Sequence, residues 1–212
     1  EDPAISKLLE DFSGRIVRFG TRRGCGVQVL RVLERDGSLA FSMRVRGQIL
    51  DGQVSLAGRH QMLAVSAAVG VAVEMGIDPA EAVERLAGFR PTSGRMEPIE
   101  VGGVLIYDDS YNANPASIRA AVAFLSRRQP PGEGRRICVL GDMKELGPGS
   151  ESIHRQVGRE LAARRIDHLI AVGSGAGILA SEARRTSAGR IRIWRARDSA
   201  EASSVACWLA AP

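Results

Sequence analysis

Aromatic residues are scarce: Phe, Trp and Tyr make up 4% of the 212 residues. Base-stacking platforms need several such rings along a basic groove. The net charge of +5 is therefore read as an arginine-rich solvated surface, with no nucleic-acid partner expected. The basic pairs Arg22-Arg23, Arg127-Arg128, Arg164-Arg165 and Arg184-Arg185 are dispersed along the chain, and the same charge suits a small phosphate-bearing ligand. Cysteine is also sparse. Cys25, Cys138 and Cys207 are odd in number and far apart, which excludes zinc spacing and predicts buried thiols in a reducing cytosol. No apolar run approaches the roughly 18 residues of a membrane helix, and Glu1-Asp2-Pro3 lacks an apolar signal core. A cytoplasmic protein without membrane insertion is expected, and a monomer. Also missing are a G-x-x-x-x-G-K-[ST] loop, an H-E-x-x-H pair, a nucleophile elbow and any internal repeat. Without the first, this chain cannot wrap nucleotide phosphates in the P-loop manner.

The residues that are present describe an ordinary globular chain, 44% hydrophobic and 25% charged. Residues from Arg15 to Ala57 read as antiparallel β structure. Leu39-Ala40-Phe41-Ser42-Met43-Arg44-Val45-Arg46 alternates as a half-buried strand does, and Asp36-Gly37 and Asp51-Gly52 are hairpin-turn signals. From Arg59 to Gly76 the pattern is helical and rich in small residues. Asp78-Pro79 then supplies an N-cap and first-turn proline for a second helix. Gly88–Gly94 has the Gly/Pro/Ser character of a boundary, dividing the chain into 1–90 and 91–212. Beyond it, strands (104–107, 137–140, 168–172, 190–194) alternate with helices (116–126, 151–164, from 176, 199–209). Repeated βα units predict a parallel sheet flanked by helices, an α/β Rossmann-like domain.

Two strand-end loops carry the polar residues. Val104-Leu105-Ile106-Tyr107 runs into Asp108-Asp109-Ser110-Tyr111-Asn112-Ala113-Asn114-Pro115. Ligands of open α/β sheets bind at such carboxyl ends. The two carboxylates are compatible with acid/base work, with ribose binding or with plain turn chemistry, and Asn114-Pro115 is a helix start. The second loop, Gly141-Asp142-Met143-Lys144-Glu145-Leu146-Gly147, is expected on the same sheet edge. His154, in the helix that follows, reads as core or surface rather than catalytic. Gly173-Ser174-Gly175-Ala176-Gly177 departs from a dinucleotide fingerprint at Ile178 and reads as a tight βα turn.

Together with His154-x-x-Val157-Gly158, Leu56-x-Gly58-Arg59-His60 and Gly94-Arg95, these loops resemble the Mur ligases of peptidoglycan synthesis. They are most similar to the branch that joins D-alanyl-D-alanine to UDP-N-acetylmuramoyl-tripeptide. The resemblance implies that 1–90 is the last part of a central ATPase domain and 91–212 a C-terminal Rossmann-like domain. It places the UDP-binding domain, the P-loop and the magnesium ligands before Glu1 and a lysine-bearing segment beyond Pro212, so a fragment, inactive alone, is expected. ATP and magnesium would be held mainly outside this chain. By the same resemblance Arg95 contacts nucleotide phosphate, Asp109 the ribose hydroxyls and His60 the adenine pocket. Tyr111, Asn112 and Asn114 line the cleft, while Asp142, Met143 and Glu145 lie toward the incoming dipeptide. The chain departs from the family's Gly-x-His-Asn-x-x-Asn at Gln61 and Ala64, which weakens or rearranges adenine recognition. Two rival readings remain: another ligase of the superfamily, such as a folylpolyglutamate synthase or the tripeptide-forming muramyl ligase, and a non-catalytic nucleotide- or polyanion-binding module.

Overall fold

A computed structural model describes residues 5, 7, 9, 11–35, 37–130 and 132–211. Glu1-Asp2-Pro3, Asp36 of the first turn signal and Pro212 lie outside the described residues. By its contacts the chain forms two compact units. The first runs up to Ser55 and resumes at Gln61–Phe89; the second comprises Leu56–His60 and the chain from Arg90 onward.

The first unit is a four-stranded sheet with two helices. β1 (Phe19–Gly20) pairs in parallel with β2 (Val27–Arg35), which is antiparallel to β3 (Ser38–Val45), itself antiparallel to β4 (Gln48–Val54). The expected antiparallel order thus holds for three strands and is corrected for the short β1. Alternation puts Leu39, Phe41, Met43 and Val45 of β3 on the buried face, each contributing roughly 1.5–3 kcal/mol. The β3–β4 turn is made by Arg46 and Gly47, with φ +46° and +85°. Asp51-Gly52, expected at a turn, instead lies within β4. There a side chain on Gly52 would come 2.6 Å from Val83 and 2.7 Å from Phe41, so the glycine serves close packing. After a short 3₁₀ turn, α1 (Met62–Glu74) buries Val65, Val69 and Val73 along one face. α2 (Pro79–Glu84) is capped as expected: the Asp78 carboxylate accepts from the Ala80 and Glu81 amides at 2.8 and 3.3 Å.

The second unit opens with a hairpin. β5 (Glu97–Val101) and β6 (Val104–Asp108) pair only with each other and antiparallel. Gly102 and Gly103 close it with φ +57° and +78°, the two positive values a primed hairpin turn requires. α3 (Pro115–Arg127), β7 (Ile137–Leu140), α4 (Ser150–Ala162), β8 (His168–Val172), α5 (Ser174–Ser187), β9 (Arg192–Ala196) and α6 (Ser199–Ala210) follow. The parallel sheet has the order β7-β8-β9. Leu169 and Ala171 of β8 join the core with α4 and α5, while Ile170 and Val172 pack with α6. This covering of both faces explains the uninterrupted apolar run of β8. The α/β, Rossmann-like reading therefore stands, with one correction. β6 is not a strand of the parallel sheet, because the Gly-Gly turn gives it a local partner. The loops after β6 and β7 do not share a sheet edge.

Candidate functional site

Three separate segments of the second unit meet around Asp109. Ala57 packs with Met96 and Phe124, with Tyr107 against them, which brings Leu56–His60 beside α3. Gly58 has φ +94°, and a side chain there would lie 2.5 Å from the His60 ring; the glycine makes room for the imidazole. Gly94, with φ +73°, accepts a hydrogen bond from the Tyr111 amide at 3.1 Å. Next to it Met96 is 2% exposed at φ +55°, a conformation that costs on the order of 1 kcal/mol in a non-glycine residue. The Met96 amide donates to the Asp109 carboxylate. The Arg95 guanidinium lies 4.0 Å above the Tyr111 ring, a cation–π stack on an exposed aromatic.

The two adjacent carboxylates have separate jobs. Asp108 accepts from the Ser110 amide at 3.0 Å, the turn chemistry open to any strand-end aspartate. Asp109 is half-buried, and burial pushes its carboxyl above the usual value of 3.8. His60, the Met96 amide and Arg95 oppose that rise, and Asp108 adds to it. The segments that carry a carboxylate, an imidazole and a guanidinium thus converge on the β6 loop, where the charges of His60 and Arg95 act on Asp109. Such a set can accept hydrogen bonds from hydroxyls and donate to phosphate oxygens. Asn112 is exposed. Asn114 is occupied as the cap of α3: its side chain accepts from the Ala116 and Ser117 amides at 2.9 Å each, and its own amide donates to Ser117 Oγ at 3.1 Å. Sequence reasoning missed Met96 entirely, since an isolated methionine beside a Gly-Arg pair carries no signal of a strained backbone donor.

The β7 loop is held from beneath. Met143, expected toward a ligand, is 3% exposed in the core with Val157 and Leu179. The Asp142 carboxylate accepts from the Ala176 amide at 2.7 Å, so it caps α5 rather than facing outward. It also accounts for Gly173, at φ +102°, where a side chain would come 2.5 Å from Asp142 Oδ1. Of the three residues assigned to this loop, Glu145 is the exposed one, at φ +60°. His154, 1% exposed, bonds the Met143 amide and the Ser150 carbonyl, a core role as its position in the helix suggested. A cavity of about 440 Å³ opens beside the ends of β8 and β9, lined by Gly173, Ser174, Gly177, Ser181, Arg195 and Arg197. Its arginines are engaged: Arg195 bonds the Gly177 carbonyl, and Arg197 pairs with Glu201 at 2.9 Å. Among the described residues no group of three or more His, Cys, Asp or Glu is arranged to hold a metal ion. None of their helices is long and apolar enough to cross a membrane.

Residues 94–212 match the family described as Mur ligase, glutamate ligase domain. The chain belongs to the Mur ligase family. It is similar to the UDP-N-acetylmuramoyl-tripeptide–D-alanyl-D-alanine ligase of Escherichia coli (strain K12), 36% identical over 134 residues, 63% of this chain and 29% of that protein. It is also similar to the UDP-N-acetylmuramate–L-alanine ligase of Clavibacter sepedonicus, 35% identical over 140 residues, 66% of this chain and 29% of that protein. A crystal structure of MurF from Acinetobacter baumannii superposes with a TM-score of 0.79 at 27% identity, covering 99% of this chain and 44% of that one. The chain spans less than half the length of the Mur ligases it matches.

Proposed function

We propose that this chain is the C-terminal portion of an ATP-dependent Mur ligase that joins D-alanyl-D-alanine to UDP-N-acetylmuramoyl-tripeptide in peptidoglycan synthesis. In this reading 91–212 is the C-terminal domain and 1–90 the end of the central ATPase domain. The observation that carries the nucleotide role is the packing of Ala57 on Met96 and Phe124 and of Arg95 on Tyr111, which brings together the segments that carry His60, Arg95 and Asp109. Asp109, kept in place by the buried Met96 amide, accepts from the ribose hydroxyls. Arg95, parked on Tyr111, reaches nucleotide phosphate, and His60 flanks the base. ATP supplies the phosphoryl group that activates the substrate carboxylate for attack by the dipeptide amine. The chain contributes orientation and charge, which agrees with a site built of binding groups and no nucleophile. No magnesium step is assigned to these residues, because the described acidic and histidine side chains form no metal set.

The test is kinetic. In the complete ligase, Asp109→Ala and Arg95→Ala each lower kcat/KM for ATP by about tenfold or more, the scale of one or two charge-assisted hydrogen bonds. An unchanged value for both variants rejects the assignment. The likeness to an L-alanine-adding ligase favours a second reading with another acceptor amine. Turnover with L-alanine but not D-alanyl-D-alanine would select it.

A further inference from the structure

We infer that His154 is a positioning residue that sets the β7 loop for the incoming amine substrate, an inference resting on the proposed ligase function and on the family resemblance that places this loop toward the dipeptide. The ring is 1% exposed and both its nitrogens are used. Nε2 lies 3.2 Å from the Met143 amide nitrogen, and Nδ1 lies 2.8 Å from the Ser150 carbonyl oxygen. An amide can only donate and a carbonyl can only accept. The two contacts therefore define one neutral form, with the proton on Nδ1 and the lone pair of Nε2 facing Met143. Room for the ring is made on the neighbouring helix: a side chain on Gly175 would come 2.5 Å from Nε2. The Met143 side chain is buried in the core beneath. One residue earlier, Asp142 is tied to the Ala176 amide at 2.7 Å.

The loop is thus pinned at two successive residues, each to a different helix: Asp142 to α5 and Met143 to α4 through His154. Lys144 and Glu145 follow directly and are exposed. Their position is a consequence of those two anchors. His154 touches no reacting group. It acts through the loop, where a displacement of about 1 Å can cost on the order of 100-fold in rate.

Two substitutions separate this role from simple support of α4. The amide of Gln reaches where Nε2 sits, and its oxygen can accept from Met143. The amide of Asn reaches where Nδ1 sits and can donate to Ser150. His154→Gln keeps the loop anchor and loses the helix bond; His154→Asn does the reverse. Amide hydrogen exchange on residues 1–212 is expected to speed at Met143 by about tenfold or more in His154→Asn and to change little in His154→Gln. In the complete ligase the KM for D-alanyl-D-alanine is expected to rise about tenfold in His154→Asn and less than about threefold in His154→Gln. Equal exchange at Met143 in the two variants overturns the positioning role. Separate exchange with identical KM values shows that the loop is anchored by His154 but does not meet the dipeptide, and overturns both the inference and the placement of the substrate. Should the variants fail to fold, ¹⁵N spectra of the unsubstituted chain decide: a proton on Nδ1 and a bare Nε2 are expected, and a protonated Nε2 at neutral pH rejects the anchor.

Discussion

Asp109 illustrates, at the scale of single side chains, how burial alters a carboxylate. Burial lifts its carboxyl above 3.8, so the folded protein binds a proton more tightly there than the unfolded chain does. Stability contributed by this group falls as pH rises from that ordinary value through the raised one, and the loss is complete above it. Asp109→Asn removes this pH-dependent loss, and its side-chain oxygen can still accept from Met96. The variant is expected to equal or exceed the unsubstituted chain in stability at neutral pH. Denaturation at a series of pH values, with the difference between the two growing just above pH 3.8 and then levelling, checks this. Cys138 shows the same physics: burial pushes its thiol up to about 12, so the reactive thiolate is suppressed. Alkylation of the native chain is expected to modify exposed Cys207 well before Cys138.

At the scale of elements, local chemistry decides where helices start and how closely they pack. The capping box of α3 satisfies three bonds between Asn114 and its first turn. Asn114→Ala is expected to cost about 1 kcal/mol, measured by chemical denaturation of the isolated chain. Gly158 lies where α4 meets α5, and a side chain there would run into the Leu179 carbonyl oxygen. Because that neighbour is backbone, Gly158→Ala forces the helices apart and is expected to cost about 1–3 kcal/mol, read as a fall in Tm. The arginine pairs read as solvated surface are more engaged than that. Arg185 pairs with Glu182 at 2.6 Å within α5, where Arg159 of α4, outside those pairs, also reaches the same carboxylate at 3.2 Å. Arg128 lies 4.4 Å over the Phe124 ring. Glu182 is a charged side chain only 6% exposed, covered by the guanidiniums that neutralise it.

At the scale of the whole molecule, the proposed function makes the residues present one wall of a nucleotide cleft, and the chain's sequence holds no G-x-x-x-x-G-K-[ST] loop. The purified 212-residue chain is accordingly expected neither to hydrolyse ATP nor to form the amide bond. Measurable phosphate release by this chain, above that of Asp109→Ala, would overturn that expectation. Much of the architecture was legible beforehand. Asp78-Pro79 and Asn114-Pro115 announce helix starts because their capping bonds are local, and β8 and α4 declare themselves by apolar pattern. Partners distant in sequence were not legible. The Gly102-Gly103 turn diverts β6 into a hairpin, and Asp142 and Met143 look like loop residues until α5 and the core claim them.

The sequence by itself determined most of the helices, the three strands of the parallel sheet, the family and the loops that carry polar chemistry, because caps, periodicity and motif spacing depend on neighbours a few residues away. Only the tertiary structure decided which polar residues are free to serve a ligand. That choice depends on long-range packing: Met96 delivers a buried amide to Asp109, Arg95 rests on Tyr111, and His154 occupies the Met143 amide. The same aspartate chemistry stands at 108, 109 and 142. One is spent on a turn and one on a helix cap, while half-buried Asp109, beside the Met96 amide, is the one the proposed nucleotide role uses.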